Sequence, residues 1–152
     1  MINNKEIVTQ EPQVAIITAF SLITGLFLSA FVIIYYFSGH LILSLAHAIS
    51  TIILIGNYWF VKTTKNYKRS VNIFLSVGTA LIAIVFVEGG YDNTGYLWIY
   101  PYIVFVFFIS DNLKTNIFWL AVLFLLCCGS IILNSLGIIQ LPYSANLLLQ
   151  LG

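Results

Sequence analysis

Three observations predict an all-α integral membrane protein, a helical bundle with five complete transmembrane helices plus the start of a sixth. Only 7% of the 152 residues are charged, against about 25% in an ordinary soluble domain. Hydrophobic residues make up 61% and aromatic residues 16%. The charges are also unevenly placed. No Asp, Glu, Lys or Arg occurs from Gln13 to Val61, from Ser70 to Val87, from Asn93 to Ser110, or from Thr115 to Gly152. About 20 mostly apolar residues suffice to cross a hydrocarbon core of about 30 Å. The formal net charge of +1 offers no basic field for nucleic acid and no acidic tail. The two cysteines, Cys127 and Cys128, are adjacent and cannot staple distant parts of the chain.

The first uncharged stretch has room for two spans, and Ser38-Gly39-His40 supplies the polar turn between them. Spans are therefore placed near residues 13–37, 41–61, 71–88, 95–110 and 116–137 of a single membrane domain, 1–152. The first has too long an apolar run, with no small-residue cleavage pattern after it, to be a removed signal peptide. A sixth apolar run opens near Ala145 and reaches only Gly152, about 12 Å at 1.5 Å per residue. Its length fits a sixth helix cut short, in a fragment of a longer chain, better than an interfacial or re-entrant tail.

Orientation follows from the basic residues. Lys62, Lys65, Lys68 and Arg69 crowd the loop between the second and third spans, and short basic loops stay in the cytoplasm. The N-terminus with Lys5 and the loop with Lys114 then also fall inside. The remaining loops, which hold none of the six basic residues, fall outside. The basic loop reads first as a topology signal, ahead of phosphate, lipid-headgroup or nucleotide binding, and its spacing matches no phosphate-cradling glycine loop.

Few polar groups lie at membrane depth. His47 shares a helix face with His40 and Ser44, but the two histidines are separated by about 10.5 Å along the axis, too far for one metal ion. A haem needs a further histidine, and none exists. Neither a dinucleotide loop nor metal-ligand spacing nor a nucleophile-base set occurs, so no catalytic residue, cofactor or metal is expected. On the fifth span Cys127, Ser130, Asn134 and Gly137 form a small, weakly polar stripe that suits a helix contact with an interhelical bond at Asn134. Gly25 with Ser29, and Gly78 near Ala80, mark similar faces. Such faces suit a homodimer through transmembrane helices, and the lipid bilayer is the expected surrounding.

The most informative loop is Glu88-Gly89-Gly90-Tyr91-Asp92-Asn93-Thr94-Gly95, followed by Tyr96-Leu97-Trp98-Ile99-Tyr100-Pro101. Its Gly, Asn and Asp residues permit tight turns with positive φ. Tyr96 and Trp98 suit the headgroup belt. Pro101, six residues into the expected helix, removes a backbone donor and predicts a kink that opens a small cleft. The candidate ligand-binding residues are Glu88, Asp92, Asn93, Thr94, Trp98 and Tyr100, with Gly89, Gly90, Gly95 and Pro101 shaping the segment. Glu88 and Asp92 read first as solvated loop charges, and as a weak carboxylate pair second.

The order GG, NTG, W and YP, with the basic loop after the second span and the turn Leu141-Pro142-Tyr143-Ser144, resembles the N-terminal multi-helix membrane modules of bacterial GGDEF diguanylate cyclases and related histidine kinases. The resemblance implies a sensory input domain in the bacterial cytoplasmic (inner) membrane, which takes a small-molecule or lipophilic signal at the outer face and regulates a cytoplasmic output domain through its last helix. No output domain lies within these residues, and Ser110-Asp111-Asn112-Leu113-Lys114-Thr115 departs from the more basic, glycine-bearing turn of the pattern. Neither cyclase nor kinase activity is therefore expected of this segment. The competing reading is a small transporter or channel subunit.

Overall fold

A computed structural model describes residues 4–143, with side chains from Pro12 onward. Among the described residues the regular structure is helical: α1 (Asn4–Phe37), α2 (Leu41–Thr64), α3 (Tyr67–Glu88), α4 (Ile99–Ile109) and α5 (Leu113–Ser135). Two short 3-10 turns, Tyr91–Asn93 and Gly95–Trp98, join α3 to α4. The partial helix expected from residue 145 lies outside the described residues, as does Ser144.

Four stretches are long and apolar enough to cross a membrane: Pro12–Phe37, Leu41–Thr64, Tyr67–Glu88 and Leu113–Ser135. The predicted span from 95 to 110 appears as a shorter apolar helix, Gly95–Ile109, which opens with a 3-10 turn. That changes the role of Pro101. It occupies the first turn of α4, where the backbone N–H it lacks would have no partner within α4. It therefore starts the α-helix and does not kink its interior.

The helix ends are closed mainly by the backbone. At the end of α1, Gly39 (φ +80°) lets its own N–H reach Tyr36 O at 3.2 Å and the His40 N–H reach Tyr35 O at 2.9 Å, the two crossed bonds of a Schellman cap. α5 repeats this with Gly137 (φ +71°): Gly137 N–H donates to Asn134 O and Ile138 N–H to Leu133 O, both at 3.0 Å. Gly137 thus ends the helix and is no member of an interhelical stripe. Lys65 takes the left-handed position after α2 (φ 55°) and donates to Val61 O. The α4–α5 turn is held by side chains. Asn112 Oδ1 accepts from the Lys114 N–H at 3.0 Å, and Asn116 Nδ2 donates to Ser110 O at 2.9 Å.

By its contacts the chain divides into two units, one ending at Val77 and one beginning at Gly78. In the first, α1 and α2 form an antiparallel hairpin. α2 buries Leu43, Ser44, His47, Ser50, Leu54, Asn57 and Val61, a stripe that advances by three or four residues. Four of those seven are polar, whereas Ile52 is 70% and Trp59 60% exposed. Polar side chains inside and apolar ones outside is the reverse of a soluble helix and fits packing within lipid, where small and polar residues make the helix contacts. Gly25 belongs to this contact: a Cβ there would meet Ile55 Cγ1 at 3.3 Å. In the second unit, a Cβ on Gly78 would lie 2.7 Å from Tyr102 Cε2, so the missing side chain admits the ring. Tyr102 Oη and Thr79 Oγ1 then share a buried hydrogen bond of 2.6 Å. The exposed apolar faces of the long helices are far larger than the scattered patches of soluble monomers. The protein is accordingly a membrane protein.

Candidate functional site

The segment singled out in the sequence folds as a knot of closely packed backbone. Gly89 (φ +85°) and Gly90 (φ +65°) turn the chain out of α3. Asp92 (φ 49°) and Asn93 (φ 61°) continue in the left-handed region, which Asp and Asn tolerate better than most residues. The Gly95 N–H donates to Gly89 O at 2.7 Å and closes the loop on itself. Thr94 adds a side-chain bond from Oγ1 to Tyr91 O at 2.6 Å.

A second segment lies against this loop. After α5, Asn134 Oδ1 accepts from the Leu141 N–H at 2.8 Å, so the expected interhelical bond of Asn134 is instead a clamp on its own following turn. That turn seats Pro142 against Gly89, where a Cβ would collide with the proline ring. It also delivers Tyr143, whose hydroxyl donates to Phe86 O at 2.8 Å. Gly95 is the tightest point: a Cβ there would strike Val85 O and lie 2.8 Å from both Gly89 C and Tyr143 Oη. Its backbone is not in the left-handed region, so closeness of approach is what requires glycine.

The walls of the knot are aromatic and apolar. Phe86, Leu141 and Tyr143 form a buried cluster, with Tyr96, Ile99, Cys127 and Ile131 packed on it. The Tyr143 ring lies 5.4 Å from Phe86 and edge-on to Tyr96 at 5.7 Å. Burial pushes the Tyr143 phenol well above its usual range, so it remains a hydrogen-bond donor at any physiological pH.

The predicted residues separate into two groups. Gly89, Gly90, Asn93 and Gly95 meet, with Asn93 Oδ1 3.0 Å from where a Gly89 Cβ would stand. Glu88, Thr94 and Trp98 are half-buried, whereas Asp92 and Tyr100 are exposed. Pro142 and Tyr143 are the partners that sequence reasoning missed as site residues. The available signal was the Leu-Pro-Tyr turn, already notable in the pattern but far from the loop in sequence.

The first unit holds two further polar clusters. Asn57 Nδ2 donates to Ser21 Oγ at 3.0 Å and to Ser70 O at 3.2 Å, and Ser70 Oγ donates back to Asn57 Oδ1 at 3.0 Å. This ties α1, α2 and α3 together with fully partnered groups. Nearer the other end of α2, the His47 ring stacks on Phe31 at 5.7 Å and lies tilted against Tyr35 at 4.9 Å. Its Nδ1 lies 2.7 Å from Leu43 O; a carbonyl only accepts, so that nitrogen carries the proton. His40 stands apart, edge-on to Tyr35 at 6.2 Å. Among the described residues no three His, Cys, Asp or Glu side chains gather to hold a metal ion. Comparison with known protein families, with curated proteins and with solved structures finds no match to this chain.

Proposed function

We propose that this chain is the membrane-embedded sensory input domain of a bacterial signal-transduction protein. It makes five complete crossings of the inner membrane, with the short Gly95–Ile109 helix as the fourth and the N-terminus in the cytoplasm, and the apolar run from residue 145 starts a sixth that leads back inside. A small or lipophilic signal is taken at the outer face, and a cytoplasmic output domain elsewhere in the parent protein responds, as the likeness to modules of diguanylate cyclases and histidine kinases implies. The observation that carries the reading is the meeting of the two motif segments: the GG and NTG glycines pack on the Pro and Tyr of the Leu-Pro-Tyr turn. One hydroxyl, Tyr143 Oη, spans from the segment after α5 to the last turn of α3 at Phe86 O. A ligand that inserts beside Tyr96 and Trp98 and competes for that contact favours an open arrangement over a closed one. Such differential affinity is what a signal needs, since a ligand that binds both states equally shifts nothing.

In the full-length parent, Asn93→Ala, Trp98→Phe and Tyr143→Phe are each expected to shift the dose response of the cytoplasmic output by about five-fold, the factor matching about 1 kcal/mol. Membrane abundance should stay near that of the unmodified protein. Unchanged dose responses in all three, at matched abundance, leave the segment as a structural cap that seats two helices in the headgroup layer.

Topology has its own test. In a background with Cys127 and Cys128 replaced, Asp92→Cys is expected to react with an impermeant thiol reagent on intact cells, and Lys65→Cys only after lysis. The reverse pattern inverts the orientation and, with it, the direction of signalling.

A further inference from the structure

We propose that the α2–α3 turn is a binding surface for anionic phospholipid headgroups. Over Tyr58 to Asn72 the chain carries Lys62, Lys65, Lys68 and Arg69 and no acidic residue, and all four cations are exposed. Their backbone is fixed. Lys65 N–H donates to Val61 O at 2.9 Å and Tyr67 N–H to Lys65 O at 3.0 Å. Asn66 opens α3 by accepting the Arg69 N–H on Oδ1 at 3.1 Å. Just behind the turn, the buried Ser21–Asn57–Ser70 bonds hold the three helices. The four charges therefore stand on a rigid end of the bundle.

Aromatic rings share the same end. Lys62 Nζ lies 5.4 Å from the Tyr58 ring, 5.8 Å from the Trp59 ring and 3.3 Å from Tyr58 Oη. The Arg69 guanidinium lies 5.8 Å from the Phe60 ring. Trp59 is 60% exposed. Tyr and Trp with Lys and Arg at one helix end mark the depth of the membrane–water interface. A cation cluster at that depth faces lipid phosphates, and basic segments beside a membrane span attract anionic lipid. Guanidinium and ammonium groups together suit a phosphodiester: Arg69 presents a planar fork and the lysines supply point charge. The proposal rests on the membrane reading for this depth, and is independent of the sensory role and of which face the turn occupies.

The test measures thermal unfolding of the full 152-residue chain, purified in a neutral detergent, with three additives: dioctanoyl phosphatidylglycerol, dioctanoyl phosphatidylcholine and inorganic phosphate. Phosphatidylglycerol is expected to raise the midpoint by about 5 °C, as a ligand that binds only the folded state does; the other two should leave it unmoved. The variant Lys65→Asn, Lys68→Gln, Arg69→Gln keeps a residue that tolerates the left-handed position and should lose most of the rise, whereas Lys114→Gln should retain it. If the triple variant does not fold, the unmodified chain in about 0.5 M salt decides, since screening at that strength must abolish the phosphatidylglycerol effect. An equal rise with phosphatidylcholine, an equal rise with inorganic phosphate, a rise that survives in the triple variant, or one that survives in high salt overturns the proposal. Because the readout involves no signalling output, failure here leaves the sensory reading standing, and failure of the dose-response test leaves this one standing.

Discussion

Gly95→Ala is expected to destabilise the protein by about 3 kcal/mol, at the upper end of what overpacking costs. The added methyl would meet Val85 O and would come within 2.8 Å of Gly89 C and Tyr143 Oη. Two of those three are backbone atoms, which cannot rotate aside as a flexible side chain can. Relief requires that the backbone at Gly95 draw back, lengthening the 2.7 Å Gly95–Gly89 bond, and that Tyr143 give way at Phe86 O. The second movement leaves a buried carbonyl and a buried hydroxyl unpartnered, each costing about 1–3 kcal/mol. Reversible unfolding in mixed micelles measures the loss. Gly129→Ala is the control: nothing lies within 4 Å of the new methyl, and alanine favours the helix interior by up to about 1 kcal/mol. A loss for Gly95→Ala no larger than that of a typical exposed substitution would mean that the knot is looser than its contacts.

Asn57→Ala should be the next most costly, at about 2–3 kcal/mol. The substitution removes three hydrogen bonds at once, to Ser21 Oγ, to Ser70 O and from Ser70 Oγ. Single interhelical bonds in membranes average about 0.6 kcal/mol and reach about 1.7. The remaining cost comes from the cavity left beside Ser21 and Ser70, both fully buried. Ser44→Ala provides the comparison, because it removes only the bond to Val32 O and should cost about 0.6 kcal/mol. The same micelle unfolding applies, and equal losses for the two substitutions would show that the three-helix junction adds nothing beyond one bond.

The helices were legible in the sequence because their cause is local. Long uncharged runs, the Ser38-Gly39-His40 break and the basic loop each act within a few residues, and the helix limits fall close to those runs. Pro101 stands in a first turn and not at an interior kink because the turn after Gly95 is 3-10, so the α-helix starts four residues later than apolarity implies. Gly137 and Asn134 match a helix face in sequence because helical spacing continues through a Schellman cap, although at Gly137 the backbone has already turned. At the candidate site the glycines and Asn93 were recognisable by residue type. Their partners Pro142 and Tyr143 were not, since no local pattern shows that a turn after α5 returns to the end of α3. The junction at Asn57 was hidden in the same way: Ser21 and Ser70 carry no charge and look like neutral fillers of an apolar run.

The Tyr143–Phe86 hydrogen bond joins residues 57 positions apart, and that separation sets an order of events during synthesis. At about 5–20 residues per second, roughly 3–11 s pass between the two residues leaving the ribosome. The α1–α2 hairpin is joined by residues 38–40 alone and can insert and pair while α5 is still being translated. Throughout that interval the Gly89–Gly95 loop waits without its clamp, with Phe86 O available to any other donor. The turn after α5 thus closes a loop made well before it, so a ribosomal pause within α5 would prolong a half-built state in which the Ser21–Asn57–Ser70 junction is already tied and the Gly89–Gly95 loop is not.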